Sequence, residues 1–191
     1  MELIKTDLQD AFIVAPKVFG DNRGWFCESY NKKAFEEIGI KDVFIQDNKS
    51  FSANKGTLRG LHCQKEPDAQ VKLVSCVQGA VNDVIVDIRR GSPTYLKHTV
   101  VELSAQNNRM LYVPAGFLHG FVSLTENVIL SYKVDKYYSP ENDRSIRFDD
   151  PAFGIDWGEG DHTLSEKDRC APLLADSDVS FEYGKAALIS Y

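Results

Sequence analysis

The 191 residues carry 22 Lys and Arg against 28 Asp and Glu, a formal charge of −6. That balance argues against an extended basic surface for nucleic acid but leaves room for a local basic pocket that suits a small anion. An apolar fraction of 43% and a charged fraction of 26% are ordinary globular values, in a chain long enough for one domain with a substantial core and short for two.

No run approaches eighteen apolar residues, so no membrane helix is expected. Residues 1–7 lack the apolar stretch of a signal peptide, and the four cysteines, Cys27, Cys63, Cys76 and Cys170, form no C-x-x-C pair. A cytoplasmic protein with reduced, mostly buried thiols is the expectation.

In chain order, 12–15 and 25–30 have the apolar, β-branched and aromatic character of short strands. Residues 31–39 predict the one clear helix, with Asn31 as N-cap, Phe35 and Ile38 on one face, and Gly39 as terminator. Strands are expected again at 43–46, 71–77, 80–88, 97–103, 109–113, 116–123 and 128–135. Gly79 and Gly91-Ser92-Pro93 punctuate them, and the tail from Pro151 is turn-rich. There is no internal repeat or linker, so a single all-β domain over 1–191, an antiparallel sandwich or barrel, is expected.

The densest chemistry lies in Lys55-Gly56-Thr57-Leu58-Arg59-Gly60-Leu61-His62, followed by Lys72 in Val71-Lys72-Leu73-Val74. Cations and imidazoles on core-forming strands need a ligand or partner, because unpaired buried charge is costly. In a plain strand Arg59 and His62 would face opposite ways; Gly56 and Gly60 permit a bend that turns His62 inward with Arg59 at the rim. A second histidine, His119, follows Pro114 and Gly116 in a P-x-G-x-x-H arrangement that resembles the second motif of the cupin superfamily, where such a histidine points into a small β-barrel.

A cupin metal site needs an H-x-H pair, and Gln64 stands where its second imidazole would be. A divalent ion near the Lys72 ammonium would feel a repulsion of roughly 5 kcal/mol at about 6 Å. No metal is expected.

The same cations suit an anionic intermediate. A base that removes a proton beside a ketone makes an enolate, which a fixed ammonium stabilises. Histidine has the right basicity, and a carboxylate fixes its tautomer; Asp168 and Asp83 are both candidates. Tyr132 is either strand packing or a proton donor on the face opposite the histidine. In Tyr137-Tyr138-Ser139-Pro140 an aromatic face is available to stack on a nucleobase, and Arg23 and Arg59 are natural diphosphate ligands.

Taken together, the stretches 16–24, Gln46-Asp47-Asn48, 55–62, Lys72-Leu73-Val74, Val86-Asp87-Ile88-Arg89, Gly91-Ser92-Pro93-Thr94, 114–121, Tyr137-Tyr138-Ser139-Pro140 and Asp149-Asp150-Pro151 resemble the dTDP-4-dehydrorhamnose 3,5-epimerase family. The likeness runs in order over about 2–168, leaving 169–191 as a less familiar tail that either closes over the site or extends a dimer.

The resemblance implies a cupin-like jelly-roll β-barrel with a short N-terminal helix and few small helical segments. It implies epimerisation at C3 and C5 of dTDP-4-dehydro-6-deoxy-D-glucose in dTDP-L-rhamnose biosynthesis, without metal or redox cofactor. His62 matches the family's base, Tyr132 its proton donor, Asp168 the carboxylate that holds the histidine, and Lys72 the cation near the C4 oxygen. Arg23, Glu28, Gln46, Asp47, Asn48, Arg59, His119, Asp143 and Lys167 match substrate contacts, and Tyr138 matches the aromatic that stacks on thymine. The implied partners are the dTDP-linked 4-keto-6-deoxy sugar and a second copy in a homodimer. N-terminal strand exchange in that dimer places Arg23 and Glu28 in the neighbour's site.

Cys63 stands where the family commonly has an aromatic, and its thiol is expected to be an inert core group. The alternatives are an epimerase acting at C3 or C5 alone on a related nucleotide ketosugar, a metal-dependent cupin enzyme, and a non-catalytic sugar-nucleotide sensor.

Overall fold

The computed structural model describes residues 1–184. Its strands are β1 (Glu2–Lys5), β2 (Phe12–Ala15), β3 (Val18–Asp21), β4 (Gly24–Cys27), β5 (Gln46–Ser52), β6 (Leu58–Gln64), β7 (Lys72–Gln78), β8 (Ala80–Asp87), β9 (Arg89–Arg90), β10 (His98–Ser104), β11 (Met110–Val113), β12 (Phe117–Ser123), β13 (Val128–Val134), β14 (Asp143–Ser145) and β15 (Phe181–Glu182). Two short α-helices, α1 (Lys32–Glu37) and α2 (Glu166–Arg169), interrupt them.

An antiparallel six-stranded sheet, in the order β1-β2-β11-β7-β13-β5, faces a five-stranded one in the order β10-β8-β12-β6-β14. This is the cupin-like jelly roll. Side chains alternate across each sheet, so each presents one face to the interior. Val74, Val81, Ile85, Leu103, Leu111, Phe117 and Leu130 form the core between the sheets. A second apolar cluster, including Leu58, Leu61, Val84, Val86, Leu118, Trp157 and Phe181, covers the outer face of the five-stranded sheet.

Helix α1 has only 6 residues, too few to persist alone. Asn31 caps it by accepting from the Ala34 N–H at 3.3 Å, and the buried Phe35 packs on Tyr30 with ring centroids 5.0 Å apart. Gly39, at φ +99°, turns the chain out of the helix. Among the described residues no helix is long and apolar enough to cross a membrane.

Where expectation and structure differ, polarity is the reason. The predicted strand at 43–46 begins only at Gln46 and continues to Ser52, through Gln-Asp-Asn-Lys-Ser-Phe-Ser. Its composition resembles a loop, but every second residue (Gln46, Asn48, Ser50) turns toward a polar interior, and β13 pairs with its whole length. The strand predicted at 25–30 stops at Cys27, because Glu28 and Asn31 form the entrance to α1 through a 3.1 Å hydrogen bond.

Among the described residues, the tail packs against the outside of the five-stranded sheet rather than over the interior. Asp178 bridges Lys65 and Arg144, and β15 pairs in parallel with β9. The Arg89 guanidinium lies between the rings of Phe117 and Tyr183, at 4.6 and 4.9 Å, while Asp87 binds its Nε and Nη2. Residues 169–184 therefore belong to the outer cover of the five-stranded sheet. Of the less familiar tail expected from the sequence, 185–191 lies outside the described residues.

Candidate active site

Strand β6 carries one residue more than its partner. The register runs from His119 opposite His62 to Phe121 opposite Arg59, so β6 advances three residues while β12 advances two. This β-bulge brings Arg59 and His62 to the same face. Gly60 and Gly120 make it possible: a Cβ on Gly60 would lie 2.6 Å from the Gly120 Cα, and one on Gly120 would lie 2.8 Å from the Arg59 carbonyl oxygen.

A cavity of about 280 Å³ opens between the inner faces of the two sheets. The five-stranded sheet contributes Arg59, His62, Gln64, His119, Phe121 and Asp143; the six-stranded sheet contributes Gln46, Asn48, Ser50, Lys72, Leu130 and Tyr132. Tyr138 lies at the edge.

His62 Nε2 is 2.6 Å from Asp168 Oδ1. Asp168 is buried and delivered by α2, where Ser165 Oγ accepts its N–H at 3.1 Å and caps the turn. Burial alone would raise the Asp168 carboxyl above the ordinary range. The His62 hydrogen bond and charge, with the Gly60 and Ser165 contacts, outweigh that and hold it below. An ionised Asp168 keeps the proton on His62 Nε2 and leaves Nδ1 as the basic nitrogen.

Sequence alone left Asp83 and Asp168 open as the carboxylate behind the base. The structure gives each a histidine of its own: the fully buried Asp83 receives His119 Nε2 at 2.9 and 3.0 Å.

Lys72 makes no ion pair among the described residues. Burial pulls its ammonium below the ordinary value, opposed by Cys63, Asp143 and Asp83. A cation held this way gains from an anion placed in the cavity. Burial, reinforced by Asp143, raises the Tyr132 phenol, so it holds its proton at neutral pH. Arg59 is aimed by β5, donating from Nε to Ser52 Oγ at 3.2 Å and from Nη2 to the Phe51 carbonyl at 2.9 Å. At the rim Lys167 pairs with Asp143.

Nine of the expected residues thus line one cavity: His62, Lys72, Tyr132, Gln46, Asn48, Arg59, His119, Tyr138 and Asp143. Asp168 and Lys167 join it through His62 and Asp143. Three stand elsewhere in the chain. Asp47 points to the outer face of β5, where Lys133 binds it at 2.8 Å. Arg23 pairs with Asp21 on the β3–β4 hairpin, and Glu28 accepts from Asn31 beyond it.

Sequence reasoning missed Ser50, Cys63, Gln64, Gln70, Phe121 and Leu130 as lining residues. The alternation of β5, β12 and β13 was the available signal. The Cys63 thiol packs in the outer apolar cluster, and burial pushes it up to about 12, so it carries no thiolate chemistry. Among the described residues no group of three or more His, Cys, Asp or Glu is placed to hold a metal ion.

A profile of the dTDP-4-dehydrorhamnose 3,5-epimerase family matches residues 5–176. The dTDP-4-dehydrorhamnose 3,5-epimerase of Salmonella typhimurium is 52% identical over 176 residues, which cover 91% of this chain and 96% of that protein. The crystal structure of the Bacillus anthracis enzyme with TDP and PPi bound superposes with a TM-score of 0.89 at 49% identity, covering 91% of this chain and 99% of that one. The Legionella pneumophila dTDP-6-deoxy-D-glucose-3,5-epimerase, in complex with dTDP-4-keto-L-rhamnose, gives a TM-score of 0.90 at 45% identity, covering 96% and 99%. With the family profile spanning most of its length, and relatives at half identity over nine-tenths of it, this chain is a member of the dTDP-4-dehydrorhamnose 3,5-epimerase family.

Proposed function

We propose that this isomerase inverts C3 and C5 of dTDP-4-dehydro-6-deoxy-D-glucose with His62 as base and Tyr132 as acid. The observation that carries the assignment is their placement: His62 stands on β6 of one sheet and Tyr132 on β13 of the other, across a single cavity. Inversion needs a proton taken from one face of a carbon and returned to the other, which facing walls supply.

In each step His62 Nδ1 takes the proton from the carbon beside the ketone. The C–H electrons move into a new C=C bond, and the carbonyl electrons onto the C4 oxygen. Lys72 stabilises that oxygen, because an ammonium already deprived of water interacts strongly with developing negative charge. Tyr132 then delivers its proton to the opposite face as the ketone re-forms. Solvent removes the proton from His62 and restores that of Tyr132. Both carbons flank one carbonyl, so one cation serves both steps. The step balances with no oxidant and no metal.

Arg59 with Lys167 and Asp143 fits the diphosphate and its surroundings, Gln46 and Asn48 the polar nucleoside and sugar groups, and Tyr138 the base.

We further propose a homodimer. The β3–β4 hairpin belongs to neither main sheet, and it exposes Phe19 (53%), Trp25 (58%) and Phe26 (69%). So much aromatic surface on a thin ribbon suits a second copy of this chain. Arg23 sits at the tip of that ribbon and Glu28 just beyond its base, and both would enter the neighbour's cavity.

The experiment is solvent exchange: with dTDP-4-dehydro-6-deoxy-D-glucose in deuterium oxide, label should enter at both C3 and C5. Label at neither carbon would sink the reading, and label at one alone would make the protein a single-carbon epimerase.

A further inference from the structure

Between Val134, the last residue of β13, and Asp143, the first of β14, the chain forms no strand or helix, yet residues 135–139 are held one after another by hydrogen bonds. The Val71 N–H donates to Asp135 Oδ1 at 2.7 Å, and Gln70 Nε2 donates to the Lys136 carbonyl at 2.9 Å. Gln64 Nε2 donates to the Tyr137 carbonyl at 3.2 Å, the Tyr138 N–H to Gln46 Oε1 at 3.1 Å, and the Ser139 N–H to Gln64 Oε1 at 2.8 Å. Three glutamine amides, two on strands (Gln46 and Gln64) and one in the loop before β7 (Gln70), therefore grip four consecutive residues.

Gln64 is the centre of this arrangement. It is buried, it lines the cavity, and its Nε2 also donates to the Asp68 carbonyl at 2.7 Å. A primary amide has two N–H donors, and both are committed to backbone carbonyls while its oxygen takes the Ser139 N–H. Little is left for a ligand. Tyr138, in contrast, is 57% exposed at the cavity edge.

We infer that Gln64 is a positioning residue: with Gln70 it fixes the backbone of 136–139, so that the Tyr138 ring is already presented when a nucleobase arrives. The inference rests on the epimerase reading above. Without these anchors the segment would lose backbone freedom on binding, and that entropy loss would be subtracted from the stacking affinity.

A double-mutant cycle tests it, with dTDP itself as the probe in calorimetric titrations. Gln64→Met should weaken dTDP binding about tenfold and raise KM in step, with kcat within about twofold. In a Tyr138→Ala background the same change should alter dTDP affinity less than about twofold, because the ring it positions is gone. Gln70→Met should show the same pattern at smaller size, and it carries the cycle if Gln64→Met does not fold.

Equal losses in both backgrounds, unchanged dTDP affinity, or a fall in kcat at constant KM would each overturn the inference while leaving the epimerase reading intact. Wild-type protein that fails to bind dTDP would overturn that reading, and this inference with it.

Discussion

His62 and His119 face each other directly in the β6–β12 register, yet each gives its Nε2 to a different carboxylate, Asp168 and Asp83. The two pairs differ in setting. His62 is half-buried and opens on the cavity, whereas His119 and Asp83 are both buried. The accessible imidazole suits proton transfer, and the enclosed one suits a fixed polar contact.

Asp168→Asn should slow deuterium exchange about a hundredfold or more, because an amide can donate to His62 Nε2 and stabilise the wrong tautomer. Asp83→Asn should act mainly on KM. Steady-state kinetics with both variants decide the matter, and equal losses of kcat would contradict this division.

Tyr132→Phe keeps the packing of a half-buried ring and removes the phenolic proton. Exchange at the first carbon should survive within about tenfold, since His62 returns what it takes, while inverted product should fall about a hundredfold. Product formed at the wild-type rate would remove Tyr132 from the acid role.

Gly120→Ala should destabilise the fold by about 2 kcal/mol or more in urea denaturation. The added carbon would meet the Arg59 carbonyl oxygen at 2.8 Å and the Gly60 Cα at 3.1 Å, both backbone atoms that have no rotamer to yield. Activity of the folded fraction should fall as well, because relieving the contact moves the bulge that aims His62. A variant of wild-type stability would show that the two strands are not in close contact there.

Asp135 titrates in a readily measured window. Burial, with Asp42 nearby, raises its carboxyl to about 6, while the Val71 N–H acts in the opposite direction. The folded protein therefore binds more protons than the unfolded chain between about pH 4 and about pH 6, so this group's contribution to stability is full on the acid side and declines as pH rises through that window. Asp135→Asn should flatten that decline, by on the order of 1 kcal/mol since solvent reaches the group. Denaturation midpoints measured from pH 4 to pH 7 test the slope, and parallel profiles for the two proteins would refute it.

The proposed homodimer, with Arg23 entering the neighbour's cavity, has an arithmetic signature. His62→Ala and Arg23→Ala should each be nearly inactive alone, but mixing, unfolding and refolding them together should restore about a quarter of wild-type activity. Half of the dimers would be mixed, and each of those would hold one site with both residues intact. No recovery from two inactive parents would place Arg23 in its own chain's site, and an active Arg23→Ala parent would remove it from the site altogether.

Much of the site was legible in the sequence because its chemistry is concentrated in rare residues on strands. His62, Lys72 and His119 stand out as charge or imidazole amid apolar alternation. Asp168 was harder to place: more than 100 positions separate it from His62, and only the capped turn begun by Ser165 brings the two together.

Strand β5 was illegible for the opposite reason. A strand that lines a polar cavity has polar residues on both faces, so Gln46–Ser52 shows no hydrophobic period. The same polarity hid the amide grip of Gln64 and Gln70, whose partners are backbone atoms that no side-chain pattern announces.

The extra residue in β6 settles a question of parity. Along a strand inside and outside alternate, so two residues separated by an odd number of steps cannot both face the interior. Arg59 and His62 are separated by three, and they share the cavity only because one added residue makes the count even. An insertion or deletion of a single residue between them would leave Arg59 and His62 chemically intact while moving one of the pair to the far side of the sheet. The spacing between Arg59 and His62 is thus a discrete property of the chain, which can be lost in one step but not gradually tuned.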